Sequence, residues 1–155
     1  MDAEQLKAQG WFRLPTVRYS EALGPTWARV RDGVAEVGLE AREHLANDSF
    51  GMVHGGAIMT FADMALGFAV GYAIRDKSSF GGPESAPFVT AQLQVQFTAA
   101  GKVGSFIVAR PEVVRKTSQL VFLRTLIEAE GRTIASADGI FKLLDTEKIA
   151  RLKAG

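Results

Sequence analysis

A run of twenty almost uncharged residues, from Gly55 to Ile74, limits what this chain can fold into more than any other feature. Asp63 is the only charged residue in the run, which contains no proline. The run is too long for a strand, so it predicts a buried α-helix. Its length also suits a membrane span, but a carboxylate near the centre would oppose insertion by roughly 2.5–3.5 kcal/mol. We therefore expect a buried helix and no membrane partner.

The sequence on both sides of this run alternates between polar and apolar residues, as β-strands do. Asp32-Gly33 is typical of a tight hairpin, and short connections later in the chain make neighbouring strands antiparallel. An antiparallel sheet wrapped around one apolar helix buries the apolar faces of both. The sequence therefore predicts an α+β, hot-dog fold. The predicted strands are residues 27–31, 34–39, 89–97, 105–114, 118–129 and 133–143.

Length and composition limit the classes of function. The 155 residues fit one domain, with a covering segment (1–25), a core (26–144) and a tail (145–155). A net charge of +1 gives no reason to expect a nucleic acid partner. The chain has no cysteine and only two histidines, so we expect no disulfide, metal or other cofactor. The first residues do not resemble a secretory signal, and a cytoplasmic location is the expectation.

The start of the predicted helix combines two chemical features. Gly55-Gly56 lies where a loop becomes the helix, and unpaired N–H groups there can stabilise a developing oxyanion. Asp63 lies about two turns further on, at ~12 Å for 1.5 Å per residue. The two features are too far apart to act on one carbonyl group within a single chain. Two subunits with antiparallel helices would bring Gly55 of one near Asp63 of the other, so the spacing predicts a homodimer with composite sites.

His54-Gly55-Gly56 followed by Ala62-Asp63 resembles the phenylacetate-degradation-type family of hot-dog thioesterases, which is related to the 4-hydroxybenzoyl-CoA thioesterases. The strand opening Val89-Thr90-Ala91-Gln92-Leu93 and the segment Arg115-Lys116-Thr117 are also similar to that family. The similarity covers residues 27–143. His-Gly-Gly alone is a weak signal, but an apolar helix with an acid nine residues after the histidine makes it specific.

The resemblance implies hydrolysis of an acyl- or aroyl-CoA to a free acid and CoA. Gly55 N–H would polarise the thioester carbonyl, with Gly56 beside it in the binding site. Asp63 would be the nucleophile, or the base that activates water, and would come from the neighbouring subunit. His54 would orient the carbonyl or support the loop. Thr90 would help to place the water or the acid.

Further binding residues also follow from the resemblance. Many relatives hold the lytic water with an Asn six residues before the histidine; here Asp48 has that position and Asn47 precedes it. Register favours Asp48, and Asn47 is the alternative. Arg115 and Lys116 either contact CoA phosphates or form a solvated turn. Because the family commonly pairs dimers, a dimer of dimers is expected.

Three other functions remain open at this point. A non-catalytic acyl-CoA-binding module would keep the groove without needing Asp63. A hot-dog hydratase or dehydratase would need a paired histidine and acid, which no motif supplies. A structural interaction module would explain neither the glycines nor the buried acid. The acyl group is not fixed by the sequence, because the apolar residues that would line a pocket are equally suited to the core. These residues are Phe50, Met52, Phe61, Met64, Phe68 and Phe88.

Overall fold

A computed structural model describes residues 2–15, 18–47, 50–74 and 87–145. Two α-helices are present in these ranges, α1 (Ala3–Ala8) and α2 (Gly55–Ile74), with 3₁₀ helices at Arg18–Leu23 and Glu43–Leu45. The strands are β1 (Phe12–Arg13), β2 (Thr26–Arg31), β3 (Val34–Glu40), β4 (Ala46–Asn47), β5 (Met52–Val53), β6 (Phe88–Phe97), β7 (Phe106–Ala109), β8 (Glu112–Lys116), β9 (Leu120–Ala129) and β10 (Arg132–Leu143). The tail prediction for 146–155 lies outside the described residues.

The main sheet is antiparallel, in the order β1-β2-β3-β7-β9-β10-β6, and β8 also pairs with β9. β4 and β5 form a separate small hairpin. The predicted single strand over 105–114 is wrong, because it is two strands, β7 and β8, which both pair with β9. Pro111 lies between them, and proline has no N–H to donate to a sheet. β6 is an outer strand of this sheet, and one of its edges has no neighbouring strand in the described residues.

Helix α2 begins and ends where the apolar run predicted, at Gly55 and Ile74. Its length and composition would allow it to cross a membrane, but the core helix of a globular protein meets the same criteria. Here one face packs into the sheet, and each large apolar side chain buried there contributes roughly 1.5–3 kcal/mol. The buried residues of the helix are Ile58, Phe61, Ala62, Ala65, Leu66, Ala69 and Val70. The prediction of a buried helix is confirmed.

The N-terminal segment covers part of the opposite face of the sheet. Leu6 of α1 packs with Trp11 and Trp27 in a small second core. The guanidinium of Arg29 lies 4.3 Å from the centre of the Trp11 ring and donates a hydrogen bond to the carbonyl oxygen of Gln9. After α1 this segment contains β1 and the 3₁₀ helix Arg18–Leu23.

A buried carboxylate on this outer face of the sheet forms ion pairs with arginines from two other parts of the chain. Glu36 of β3 forms ion pairs with Arg29 and Arg110. Burial raises the pKa of Glu36, but the hydrogen bonds and charges of the two arginines outweigh it and hold the pKa below its usual value. Arg110 also pairs with Glu128 of β9. These charges are satisfied within the protomer, on the face of the sheet that does not contact α2.

Candidate active site

His54 caps the start of α2. Its carbonyl oxygen accepts hydrogen bonds from the N–H groups of Ala57 (3.0 Å) and Ile58 (3.3 Å). Its ring Nδ1 accepts a third from the N–H of Gly56, at 2.9 Å. In the described residues the N–H of Gly55 has no partner. Because the first N–H groups of a helix carry the positive end of its dipole, the Gly55 amide is the candidate donor to an oxyanion.

The same cap defines the chemistry of the His54 ring. A ring nitrogen that accepts a hydrogen bond carries no proton, so the neutral ring has its proton on Nε2. A β-carbon at position 56 would lie only 3.0 Å from Nδ1, which explains why glycine follows Gly55. The Gly56 amide is therefore used within the protomer. His54 was predicted either to orient the carbonyl or to support the loop. The cap geometry supports the second of these roles.

Asp63 lies on the partly exposed side of α2, and one hydrogen bond orients it. The hydroxyl of Thr90 donates to Oδ1 of Asp63 at 2.6 Å. In the described part of the chain no Lys, Arg or His forms an ion pair with this carboxylate. One carboxylate oxygen is thus fixed by a neutral donor, and the other makes no hydrogen bond to a described residue. A carboxylate held in this way can attack an electrophile or accept a proton.

A β-bulge brings Thr90 to the helix. The pairing of β6 with β10 shifts by one residue at Ala91, which reverses the alternation of the strand. Phe88, two residues before Thr90, packs over Gly67 of α2. Strict alternation along the predicted strand 89–97 would place the apolar Val89 on the buried face and Thr90 on the polar face. That prediction is wrong, because Val89 is 46% exposed and the Thr90 hydroxyl contacts the helix.

Phe97, at the other end of β6, lies against the helix start. Its ring Cζ is 3.4 Å from the place that a β-carbon on Gly55 would occupy, and its side chain is 52% exposed. Phe97 is not among the predicted site residues, since an aromatic residue at a strand end gives no signal by itself. Strand β6 thus contacts both candidate groups of α2. Phe97, at one end of the strand, contacts Gly55, and Thr90, near its other end, contacts Asp63.

The remaining predicted residues are Asn47, Asp48, Arg115 and Lys116. Asn47 is exposed in β4, and Asp48 lies outside the described residues. Arg115 and Lys116 belong to β8, so the predicted turn at these residues is wrong. They pair with Phe122 and Val121, respectively, and point to opposite faces of the sheet. Lys116 contacts the helix side.

Lys116 lies near the end of α2. Its Nζ donates a hydrogen bond to the carbonyl oxygen of Ala73 at 3.3 Å. Ala73 is about 27 Å from Gly55 along the helix, at 1.5 Å per residue. Lys116 and the helix start of one protomer are therefore at opposite ends of α2.

A cavity of about 410 Å³ opens beside the helix start. Gly56 and Thr60 of α2 form one wall, and the 3₁₀ helix Arg18–Leu23 contributes another. Both histidines of the chain line it, His54 at the cap and His44 from the second 3₁₀ helix. In the described residues no group of three metal-ligating side chains occurs here or elsewhere.

Three comparisons relate this chain to known proteins. The family model of the thioesterase superfamily matches residues 50–136. A Pseudomonas aeruginosa protein described as a "putative esterase" is 29% identical over 125 residues, which is 79% of this chain and 86% of the relative.

Solved structures show the same fold. A mutant of the phenylacetic acid degradation protein PaaI of Thermus thermophilus superposes with a TM-score of 0.61 at 20% identity, over 91% of this chain and 99% of that one. The BH2602 protein of Bacillus halodurans, solved with CoA, has a TM-score of 0.64 at 25% identity, over 92% and 82% of the two chains. The predicted hot-dog fold is confirmed.

Proposed function

Because the chain belongs to the thioesterase superfamily, we propose that it hydrolyses an acyl- or aroyl-CoA thioester to the free acid and CoA. One observation carries the proposal. The helix that begins at a free Gly55 amide also presents Asp63, whose carboxylate is oriented by Thr90 and has no cation beside it in the described residues. The CoA bound to the Bacillus halodurans protein supports the choice of ligand.

The chemistry requires a donor and a carboxylate on the same thioester. The Gly55 N–H polarises the carbonyl oxygen and stabilises the oxyanion that forms on it. Asp63 either attacks the carbonyl carbon, giving an anhydride that water then opens, or removes a proton from the attacking water. In both routes the C–S bond breaks, the sulfur leaves as the CoA thiol after taking up a proton, and the acyl group gains the oxygen of water.

A homodimer would bring the two groups together. Gly55 and Asp63 are eight residues apart, or ~12 Å along one helix. A two-fold axis beside Met59, midway between them, would place the Gly55 amide of one subunit opposite the carboxylate of the other. Met59 is 42% exposed, although it lies within an apolar helix. An exposed methionine at this position is what such an axis requires.

Strand β6 fits the same axis. Within a protomer Phe97 contacts Gly55, and Thr90 contacts Asp63. If Gly55 faces the partner's acid, Phe97 of one subunit faces Thr90 of the other. An antiparallel pairing of two β6 strands, centred between Leu93 and Gln94, has this register. The free edge of β6 would then gain a neighbour, which removes an exposed sheet edge.

In such a dimer, the predicted contact with the CoA phosphates would come from the subunit that supplies Asp63. Lys116 lies at the end of α2, ~15 Å from Asp63 at 1.5 Å per residue. The phosphates of CoA lie far from its thioester. Lys116 of the subunit that supplies Asp63 is therefore better placed than Arg115 to contact these phosphates. Arg115 faces the other side of the sheet. For the water-orienting position we retain Asp48, with Asn47 as the alternative. Asn47 ends β4, whose partner strand β5 leads to His54.

A thiol-release screen with purified protein tests the proposal. Aromatic, short, medium and long acyl-CoAs are supplied in turn, and free CoA is detected with a thiol reagent. We expect turnover of at least one class. Binding of CoA without thiol release from any of them would contradict hydrolysis and favour an acyl-CoA-binding module. Loss of an enoyl double bond without free thiol would favour a hydratase.

Replacing Thr90 with valine is expected to lower kcat by roughly 10- to 100-fold. The side chain keeps its shape but loses a hydrogen bond to a charged group, which contributes about 1.5–3 kcal/mol. Thr90→Ser keeps the hydroxyl and should retain most of the activity. Steady-state kinetics on the best substrate compare the variants. An unchanged kcat in Thr90→Val would show that the hydrogen bond to Asp63 has no part in the reaction.

A further inference from the structure

The tip of the Phe97 side chain lies directly over the glycine that begins α2. Its Cζ, Cε1 and Cε2 atoms are 3.4, 3.7 and 3.9 Å from the place that a β-carbon on Gly55 would occupy. We propose that this ring excludes water from the Gly55 amide and so strengthens the hydrogen bond that the amide donates to the developing oxyanion. Phe97 is then a positioning residue that acts through Gly55. The inference rests on the proposed thioester hydrolysis.

The contact with Gly55 distinguishes Phe97 from the apolar residues before it in β6. Leu93 and Val95, which precede it on the same face of the strand, are partly buried and pack against the core. The Phe97 side chain is instead 52% exposed. Because Gly55 has no side chain, the tip of the ring reaches the backbone itself. The ring therefore shields the start of the helix rather than filling the core.

Hydrogen bonds hold the ring and the glycine in one rigid unit. The hydroxyl of Thr98, the next residue, donates to a carbonyl oxygen of β10 at 3.1 Å. The carbonyl oxygen of Gly101, four residues after Phe97, accepts a hydrogen bond from the N–H of Val53 at 2.8 Å. Val53 is two residues before Gly55. The chain that follows the ring thus also holds the chain that leads into the helix.

Water exclusion matters at this amide because it is the candidate oxyanion donor. A hydrogen bond to a charged group is stronger where the effective dielectric constant is low, and donors in a water-excluded site stabilise a developing charge most. The Phe97 ring has no oxygen or nitrogen that could compete for the Gly55 N–H. Its edge points at the glycine, and the edge of an aromatic ring carries partial positive charge. An oxyanion beside it is therefore favoured.

The proposed dimer would complete the shield. The exposed part of the ring would face Thr90 of the partner subunit, which orients the acid of that subunit. Water would then reach the thioester from the side of the carboxylate, where hydrolysis consumes it. Water at the Gly55 amide would only compete with the carbonyl oxygen.

Shortening the side chain tests the inference. Leucine in place of Phe97 stays apolar but cannot reach Gly55, so it leaves a gap in which water can bind the amide. We expect kcat to fall by roughly tenfold, which is part of the 10²- to 10³-fold effect of a whole oxyanion donor. KM should stay within about twofold, because the bond to the oxyanion forms only in the transition state. A raised KM with an unchanged kcat would mean that the ring only binds substrate, and would contradict the inference.

A double-mutant cycle separates this role from a structural one. Gly55→Pro removes the N–H, whereas Gly55→Ala keeps it and adds a β-carbon at the same place. Phe97→Leu should lower kcat by roughly tenfold in the wild-type and Gly55→Ala proteins, but by less than about twofold in Gly55→Pro, which has no amide to shield. An equal loss in all three, as damaged packing or a weakened dimer would give, overturns the inference.

The same measurements separate the inference from the proposed function. Thiol release on the best substrate gives kcat and KM for every protein of the cycle. A wild-type protein that hydrolyses thioesters, while the losses from Phe97→Leu and Gly55→Pro multiply, contradicts only the role of Phe97. No hydrolysis of any thioester contradicts the proposed function itself.

Discussion

Asparagine in place of Asp63 is expected to lower kcat by about 10³-fold while CoA still binds. The amide has nearly the same shape, and its carbonyl oxygen can keep the hydrogen bond from Thr90. It can neither attack the thioester nor accept a proton from water. General base catalysis contributes typically 10²- to 10⁴-fold, and a group that acts only in the transition state lowers kcat without weakening substrate binding.

Thiol release measures kcat, and titration calorimetry with CoA measures binding to the same preparations. Asp138→Asn is the matched control, since Asp138 is an exposed aspartate of β10 on the other face of the sheet. That variant should keep its activity within about twofold, as surface substitutions have small effects. Equal kcat values for wild type and Asp63→Asn would remove Asp63 from the mechanism. Loss of CoA binding or of the folded state would instead assign the carboxylate a structural role.

Most of the architecture follows from patterns that are local in sequence. The bounds of α2 were predicted because one apolar run contains no break, and the β2–β3 hairpin because Asp32-Gly33 suits its turn. Both residues indeed have positive φ, 52° and 78°. The break between β7 and β8 also has a local signal in the sequence, because Pro111 has no N–H to donate to a sheet and therefore ends a strand.

The candidate site was predictable only where its residues lie in one segment of the sequence. The motif at the helix start predicts roles for Gly55 and Asp63, but not the hydrogen bond that Thr90 donates to the acid. That bond depends on the bulge at Ala91, and the bulge comes from the pairing of β6 with β10, which alternation within β6 cannot show. The cavity beside the helix start could not be predicted for a similar reason, because it forms only when distant parts of the chain meet beside α2.

Two inactive variants are expected to restore activity when they share a dimer. Gly55→Pro removes the candidate oxyanion donor and little else, because proline is favoured at the first position of a helix and has no N–H. Removal of one such donor costs about 10²- to 10³-fold in kcat. Gly55→Ala is its control, since it keeps the amide. Its β-carbon would meet the Phe97 ring at 3.4–3.9 Å, an ordinary contact.

Mixing Gly55→Pro with Asp63→Asn, by unfolding and refolding them together in equal amounts, tests whether each site uses two chains. About half of the dimers are then mixed, and each mixed dimer has one site with an intact glycine from one chain and an intact acid from the other. Activity should rise to about a quarter of the wild-type value, and the fraction is the same in a dimer of dimers. If both groups acted from one chain, every chain in the mixture would carry a defect in its own site. Activity would then stay at the level of the separate variants, and the composite site would be wrong even if both residues were essential.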